Sequence, residues 1–379
     1  MARRHVLLVQ EHTPAFRREF YEGLKEDLAS REVDLTLVYA PNQRNTFLRA
    51  DVEWALKVPV RRLGPLSWQS VLGMCSRSDL AILMHEIKYA MNPVIQFTPW
   101  LRSCKLAYWG HGKSYQSKNH DAPEEKLKRW LGRRVDWWFA YNKRSASAVE
   151  EFGFPPERIT AVGNAIDTRG IQRTLEETDE ASLLALKSEL GVDSENVAVY
   201  TGSIRKIKRI GFLLESARKI RETVTDFHLI IIGDGPDASM VRDAAAVDPW
   251  IHWVGRKTDV EKVPYWAISK VSLMPGAMGL GILDSFALGV PMVTCDLPNH
   301  GPEVEYFEAG VNGEMIADAS SSDRYAEGVV RLLTDEGYRG RLVIGARSAS
   351  ETHSIERMVG NFSQGVMGAL EAPRIRGLW

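Results

Sequence analysis

The residues best placed to do chemistry lie in the second half of the chain, in Pro275-Gly-Ala-Met-Gly-Leu-Gly-Ile-Leu-Asp-Ser-Phe-Ala-Leu-Gly-Val-Pro291. Gly276, Gly279 and Gly281 remove side chains where this loop enters a helical run, so a ligand can approach the backbone. The unpaired N–H groups and positive dipole end of a helix attract anions such as a pyrophosphate. Gly279, Leu280 and Gly281 are the expected contacts, and Asp284, one turn in, is expected to accept from sugar hydroxyls. Alone, such a loop is equally an ordinary turn of a doubly wound sheet. Its neighbours change that balance. Tyr200-Thr-Gly-Ser-Ile-Arg-Lys-Ile-Lys-Arg-Ile-Gly211 places Arg205, Lys206, Lys208 and Arg209 behind Gly202 and Ser203. A charge run is ordinarily a solvated surface, but this one follows a strand's C-terminal end, the edge where open α/β sheets bind ligands. Ile232-Gly-Asp-Gly-Pro236 adds Gly233 and Gly235 on the same edge. Three such loops from one sheet point to a nucleotide site. In the first half, Trp109-Gly-His-Gly-Lys-Ser-Tyr115 puts His111 between two glycines, where it is expected to face a cleft, with His12 and Lys113 as rivals for contact with an acceptor or a phosphate.

The elements that must hold these loops follow from periodicity. Short apolar runs alternate with amphipathic helical stretches, the pattern of parallel sheets with crossover helices. Residues 5–9, 34–39, 80–84, 105–109 and 137–141 read as strands in the first half. Phe16, Phe20, Leu24 and Leu28 form one helical stripe facing a core, with Arg17, Arg18, Lys25 and Asp27 expected in water. In the second half, 197–201, 228–232, 250–254, 271–274 and 292–295 are strand-like, and helices are expected near 212–222, 238–246, 282–288 and 322–333. Residues 174–196 read as a linker region with one helix. The sequence thus divides into domains at 1–170 and 171–355, with a helix at 356–379 returning to the first.

The series Gly-Ser-Ile-Arg-Lys-Ile-Lys-Arg-Ile-Gly, Gly-Asp-Gly-Pro, Trp253-Val-Gly-Arg256, the 275–291 loop and His300-Gly-Pro-Glu-Val-Glu-Tyr-Phe-Glu-Ala-Gly-Val-Asn-Gly313 resembles the C-terminal half of glycosyltransferase family 4. The likeness covers about residues 195–320 and extends weakly to Asn164-Ala-Ile-Asp167 and Trp109-Gly-His-Gly112. It implies an α/β GT-B fold, two Rossmann-like domains facing across a cleft, with the nucleotide-sugar donor (UDP- or GDP-type) held by the second. The family's Glu-x7-Glu pair falls on Gly276 and Asp284, so the first acid is missing; the second implies donor ribose binding. The usual Arg of the basic loop falls on Ser203, which leaves Arg205 as substitute, while Lys208 stands on the expected Lys. Arg256 and Glu303 join the donor set, and His111 is implied on the acceptor side, with His12 and Lys113 near it. His111, Arg205 and Lys208 are the expected catalytic groups.

Breaking a sugar–phosphate bond develops negative charge on the leaving diphosphate. No Asp-x-Asp triplet is available to hold a metal, so Arg205, Lys208 and the loop amides are expected to stabilise that charge themselves. Neither metal nor cofactor is expected; the nucleotide sugar is a substrate. The resemblance implies transfer to a hydroxyl acceptor with retention of anomeric configuration. A nucleotide-sugar epimerase of the same fold, and a weakly catalytic nucleotide-sugar-binding protein, remain alternatives. The acceptor is expected to be a glycan, a lipid-linked glycan or a small molecule.

Composition sets the outer bounds. At 379 residues the chain suits two α/β domains, and 48 basic against 49 acidic residues give no global field for nucleic acid. Cys75, Cys104 and Cys295 match neither a disulfide framework nor a zinc pattern and fit a reducing cytosol. Residues 1–10 have too short an apolar run for a signal peptide. A cytoplasmic protein is therefore expected. Lys113, Lys118, Lys126, Lys128, Arg129, Arg133 and Arg134 interleave with Trp130, and Trp137 and Trp138 follow. Such a stretch reads as a helix with a buried Trp face or as a peripheral surface for anionic lipid.

Overall fold

The computed structural model describes residues 3–41, 52–113, 122–258 and 260–375. Ser114, Tyr115 and Lys118 of the sequence reading lie outside them. Contacts divide the chain into two compact units, Met1–Ile166 with Ile355–Trp379, and Asp167–Ser354.

In the first unit the strands are Arg4–Val9 (β1), Val33–Tyr39 (β2), Leu56–Lys57 (β3), Val60–Leu63 (β4), Leu66–Gln69 (β5), Leu80–Met84 (β6), Lys105–Gly110 (β7), Trp137–Ala140 (β8) and Ile159–Ala161 (β9). Among the described residues they build a parallel sheet of order β3-β2-β1-β6-β7-β8-β9 and a separate β4-β5 hairpin. Val6, Leu7 and Leu8 of β1 are fully buried, as expected of a central parallel strand covered on both faces. The helix Arg18–Ser30 buries Phe20, Tyr21, Leu24 and Leu28. The stripe differs at its start: residues 15–17 form a 3-10 turn and Arg17, expected in water, is buried. Its guanidinium lies over the Trp109 and Tyr141 rings (4.8 and 5.3 Å) and donates to Asn164 Oδ1 at 2.8 Å.

The helix Ile355–Glu371 belongs to this unit. Phe362 meets Phe20, Trp109 and Phe139 at ring distances of 5.3, 5.1 and 4.3 Å. Lys105 Nζ donates to the terminal carbonyls of Ala369 and Leu370, satisfying acceptors that a helix end leaves open.

The second unit carries Val197–Thr201 (β10), His228–Ile232 (β11), Ile251–Gly255 (β12), Val271–Met274 (β13), Met292–Cys295 (β14) and Gly313–Ile316 (β15). They pair in parallel in the order β12-β11-β10-β13-β14-β15. Residues 174–196 are largely helical: the helices Thr168–Glu177 and Glu180–Leu190 each start at an aspartate cap, Asp167 Oδ1 accepting from Gly170 N at 2.9 Å and Asp179 Oδ1 from Ser182 N at 2.6 Å. Both are part of the second unit.

Candidate functional site

Strand order in the second sheet runs away from β10 in both directions, so the reversal point lies between β10 and β13. The loops leaving those strands are the basic loop and the glycine-rich loop, and they touch. Ala277 N donates to Ile207 O at 3.0 Å, Lys208 Nζ donates to Ala277 O, and Arg209 Nη1 donates to Pro275 O at 3.1 Å. A Cβ placed on Gly276 would stand 2.4 Å from both Cα and C of Lys208. The position where the resemblance expects a glutamate is thus filled by the main chain of the 3-10 turn Lys206–Lys208. The β11 loop closes against the same edge: a Cβ on Gly233 would lie 1.9 Å from Gly202 O, and one on Gly235 2.2 Å from Ile204 O. Gly202 and Ser203 are fixed by Gly202 N–Ile232 O at 3.0 Å and Tyr200 Oη–Ser203 O at 3.0 Å.

The far side of the glycine loop is open. Nothing stands within 4 Å of a Cβ on Gly279. Among the described residues, none accepts from the N–H groups of Gly279, Leu280 or Gly281, which precede and open the helix Gly281–Leu288. The rest of the loop is held rigid by His300. Its Nδ1 accepts from Met278 N at 2.9 Å and its Nε2 faces Cys295 O at 2.8 Å, so the buried ring is the neutral Nε2–H form. Glu303, buried in the 3-10 turn Pro302–Tyr306, interacts with Lys208 through its charge.

Burial, and then the charge of Arg205, push the Lys208 ammonium down to about 8, with Glu303 pulling the other way. Lys208 is still mainly charged at neutral pH, yet it is incompletely neutralised by protein. Arg205, exposed in the same loop, acts on it through its charge, and Arg256, also exposed, follows β12 at the edge of the sheet. Lys208, Arg205 and the three amides therefore lie in the two touching loops at one strand edge, a set of donors suited to a diphosphate.

Asp284, the expected ribose contact, is buried in an ion pair. Lys262 Nζ lies 2.7 Å from its Oδ1, and both side chains are almost fully buried. A sugar hydroxyl would meet an ion pair there, not a solvated carboxylate. Lys262, 22 positions upstream, carries no motif that would have disclosed it. Arg209, one of the cations of the basic loop, has a structural role that the sequence did not announce. It adopts a left-handed conformation (φ 55°) that L-residues rarely take, and its guanidinium donates to Pro275 O and to Ala319 O at 2.6 Å.

In the first unit, His111 follows β7, half-buried, its ring 4.0 Å from that of Tyr141. The expectation of a well-exposed histidine is corrected to that extent. Burial, then the charges of Lys128 and Arg17, push it down to about 3, so it is neutral at physiological pH. Its neutral form can accept or donate one proton bond but cannot supply a cation. His12 is exposed, 3.8 Å from Glu11 Oε2, and Lys113 lies 3.6 Å from Glu151 Oε2. Glu11, which the sequence reading passed over, is buried under Lys88 (2.7 Å), Tyr89 Oη (2.9 Å) and Arg62 (3.3 Å). Burial raises this carboxyl, but the bonds from Lys88 and Tyr89 outweigh it and hold it below the usual range.

Comparison with known proteins fits this geometry. Residues 195–335 match the family described as glycosyl transferases group 1. The alpha-monoglucosyldiacylglycerol synthase of Acholeplasma laidlawii is 30% identical over 116 residues, a stretch covering 29% of this chain and only 29% of that enzyme's length. Among solved structures, HepE of Anabaena in complex with UDP aligns over 96% of this chain and 99% of its own, with TM-score 0.71 and 15% identity. A glycosyltransferase from Rickettsia africae aligns over 98% and 100%, with TM-score 0.74 and 13% identity. The chain therefore has the GT-B fold of two Rossmann-like units, and the unit that carries the converging loops matches glycosyl transferases group 1.

Proposed function

We propose that the chain is a retaining glycosyltransferase of family 4 type, moving a sugar from a UDP-type nucleotide sugar to a hydroxyl acceptor without a metal ion. The observation that carries this reading is the junction of the two loops: Lys208 is gripped by Ala277 O next to three amides with no protein acceptor among the described residues. Neutralising a leaving diphosphate requires such fixed donors, and removing one typically costs 100- to 1,000-fold in rate. The choice of uridine diphosphate is supported by HepE, whose structure was solved with UDP. We assign the diphosphate to Arg205, Lys208 and the amides of Gly279–Gly281, with Gly202, Ser203, Gly233, Gly235 and Arg256 lining it. The ribose goes to Asp284 with its partner Lys262, and the transferred sugar to Glu303. In the first unit His111, His12 and Lys113 are assigned to a hydroxyl acceptor: a glycan, a lipid-linked glycan or a small-molecule alcohol.

The test is product analysis with UDP-sugars, with and without hydroxyl acceptors. Slow release of UDP without acceptor and a new glycoside with one support transfer. Epimerised donor without any acceptor, or binding of the donor with neither product, overturns it.

A further inference from the structure

One face of the first unit gathers large apolar side chains that the core does not use. Phe97 ends the helix Met91–Phe97, and Trp100 and Leu101 follow in the 3-10 turn Pro99–Leu101. Leu127 and Trp130 come from the helix Pro123–Gly132. Their exposures are 39, 76, 48, 45 and 42%, while Trp137 and Trp138 close by are buried. The two elements meet there, since Phe97 stacks on Trp130 at 5.5 Å. A contiguous exposed apolar patch of this kind marks an interaction surface, whereas single exposed residues do not.

The charges around it state what kind of surface it meets. Lys126, Arg129, Arg133 and Arg134 lie on the helix that carries Leu127 and Trp130, or in the turn that ends it. Arg134 stands 3.7 Å over the Trp130 ring and donates to Trp130 O at 3.0 Å, so its charge is pinned at the rim of the patch. Arg374 reaches Ser103 O beside Leu101. Of the two acids in that helix, Glu125 is buried and only Glu124 is exposed. Indole rings prefer the boundary between water and hydrocarbon, and clustered cations are attracted to anionic headgroups. No helix among the described residues is long and apolar enough to cross a membrane, so contact would be from one side only.

We propose that this face of the first unit rests on an anionic lipid surface, with Trp100 and Trp130 inserted at the headgroup level and Arg133 and Arg134 on lipid phosphates. The inference stands independently of the transferase reading, because its readout needs no turnover. The full chain is sedimented with vesicles of phosphatidylcholine alone or mixed equally with phosphatidylglycerol. Binding is expected only to the mixed vesicles at low salt, and weaker at 0.5 M salt, where charge is screened over about 4 Å. Trp100→Ser with Trp130→Ser should weaken it about tenfold or more. Arg133→Gln with Arg134→Gln should weaken it about tenfold at low salt and little at high salt. Trp100, Trp130 and Arg133 are exposed and Arg134 is half-buried, so melting curves should match the wild type; if one pair fails to fold, the other decides. Equal binding to neutral vesicles, or unchanged binding by both pairs, overturns the proposal. So does a dimer that Trp100→Ser dissolves while vesicle binding is absent, since the patch would then join two copies of this chain.

Discussion

The ammonium of Lys208 offers the sharpest test of the diphosphate site, because its environment sets a pH at which the site should fail. Burial and the neighbouring Arg205 place it at about 8 in the free protein. A diphosphate prefers the charged form, so affinity should follow the protonated fraction. That fraction is about 90% at pH 7 and about 10% at pH 9, and each unit of pH above the pKa costs a factor approaching ten. The sign is fixed: affinity falls as pH rises. Nucleoside diphosphate is titrated calorimetrically against the wild type and against Lys208→Met from pH 6.5 to 9. The ratio of the two affinities cancels any ionisation of the base or of other residues. It should be flat below about pH 7.5 and fall about tenfold between pH 7 and 9. A ratio that stays level across this range would mean that Lys208 does not touch the phosphates, and the basic loop would then have no part in the mechanism.

Four further outcomes follow. Lys262→Met leaves the Asp284 carboxylate buried without its partner, which should cost roughly 3–5 kcal/mol and lower the melting temperature by about 10 °C; a shift under about 2 °C would show that the pair is not buried in solution. If that pair reads the ribose, wild-type protein binds nucleoside diphosphate about tenfold or more tightly than its 2′,3′-dideoxy analogue, and equal affinities would confine the site to phosphate. Gly276→Glu should lower stability by at least about 1–3 kcal/mol and fail to raise turnover, because its Cβ meets the Lys208 main chain; faster transfer by a well-folded Gly276→Glu protein would contradict this. Turnover should also survive EDTA, and complete loss restored by manganese would remove the role given to the cations.

The strands most legible in the sequence were those with short apolar runs bounded by turn residues. His228–Ile232 has the bounds expected of it, and Ile251–Gly255 is displaced by one residue. The strands Ile159–Ala161 and Gly313–Ile316 escaped notice because they are three and four residues long and lie at sheet edges, where no apolar run is needed. The crossing of the basic and glycine-rich loops could be anticipated, since both follow strands that flank a topological reversal. What could not be read was how side chains distant in sequence divide the space. Arg17 looked like the solvent side of a helix because its aromatic partners, Trp109 in β7 and Tyr141 just after β8, are distant in sequence. Lys262 and Asp284 likewise meet only after the helix Val263–Ala267 and the strand Val271–Met274 between them have been placed. The aspartate caps at Asp167 and Asp179 were local signals, and weighing them would have turned the supposed linker into helix.

The return of the helix Ile355–Glu371 to the first unit has a consequence for synthesis. Phe20, Trp109 and Phe139 are translated early, but the ring that packs among them, Phe362, emerges only after all 188 residues of the second unit. At about 5–20 residues per second, that interval is roughly 10–40 s. During it the first unit presents an uncovered aromatic face, whereas the second unit, contiguous in sequence, holds all of its own core. A released chain ending at residue 354 should therefore display a protease-resistant second unit joined to a protease-sensitive first unit, an inversion of the usual N-to-C order of folding.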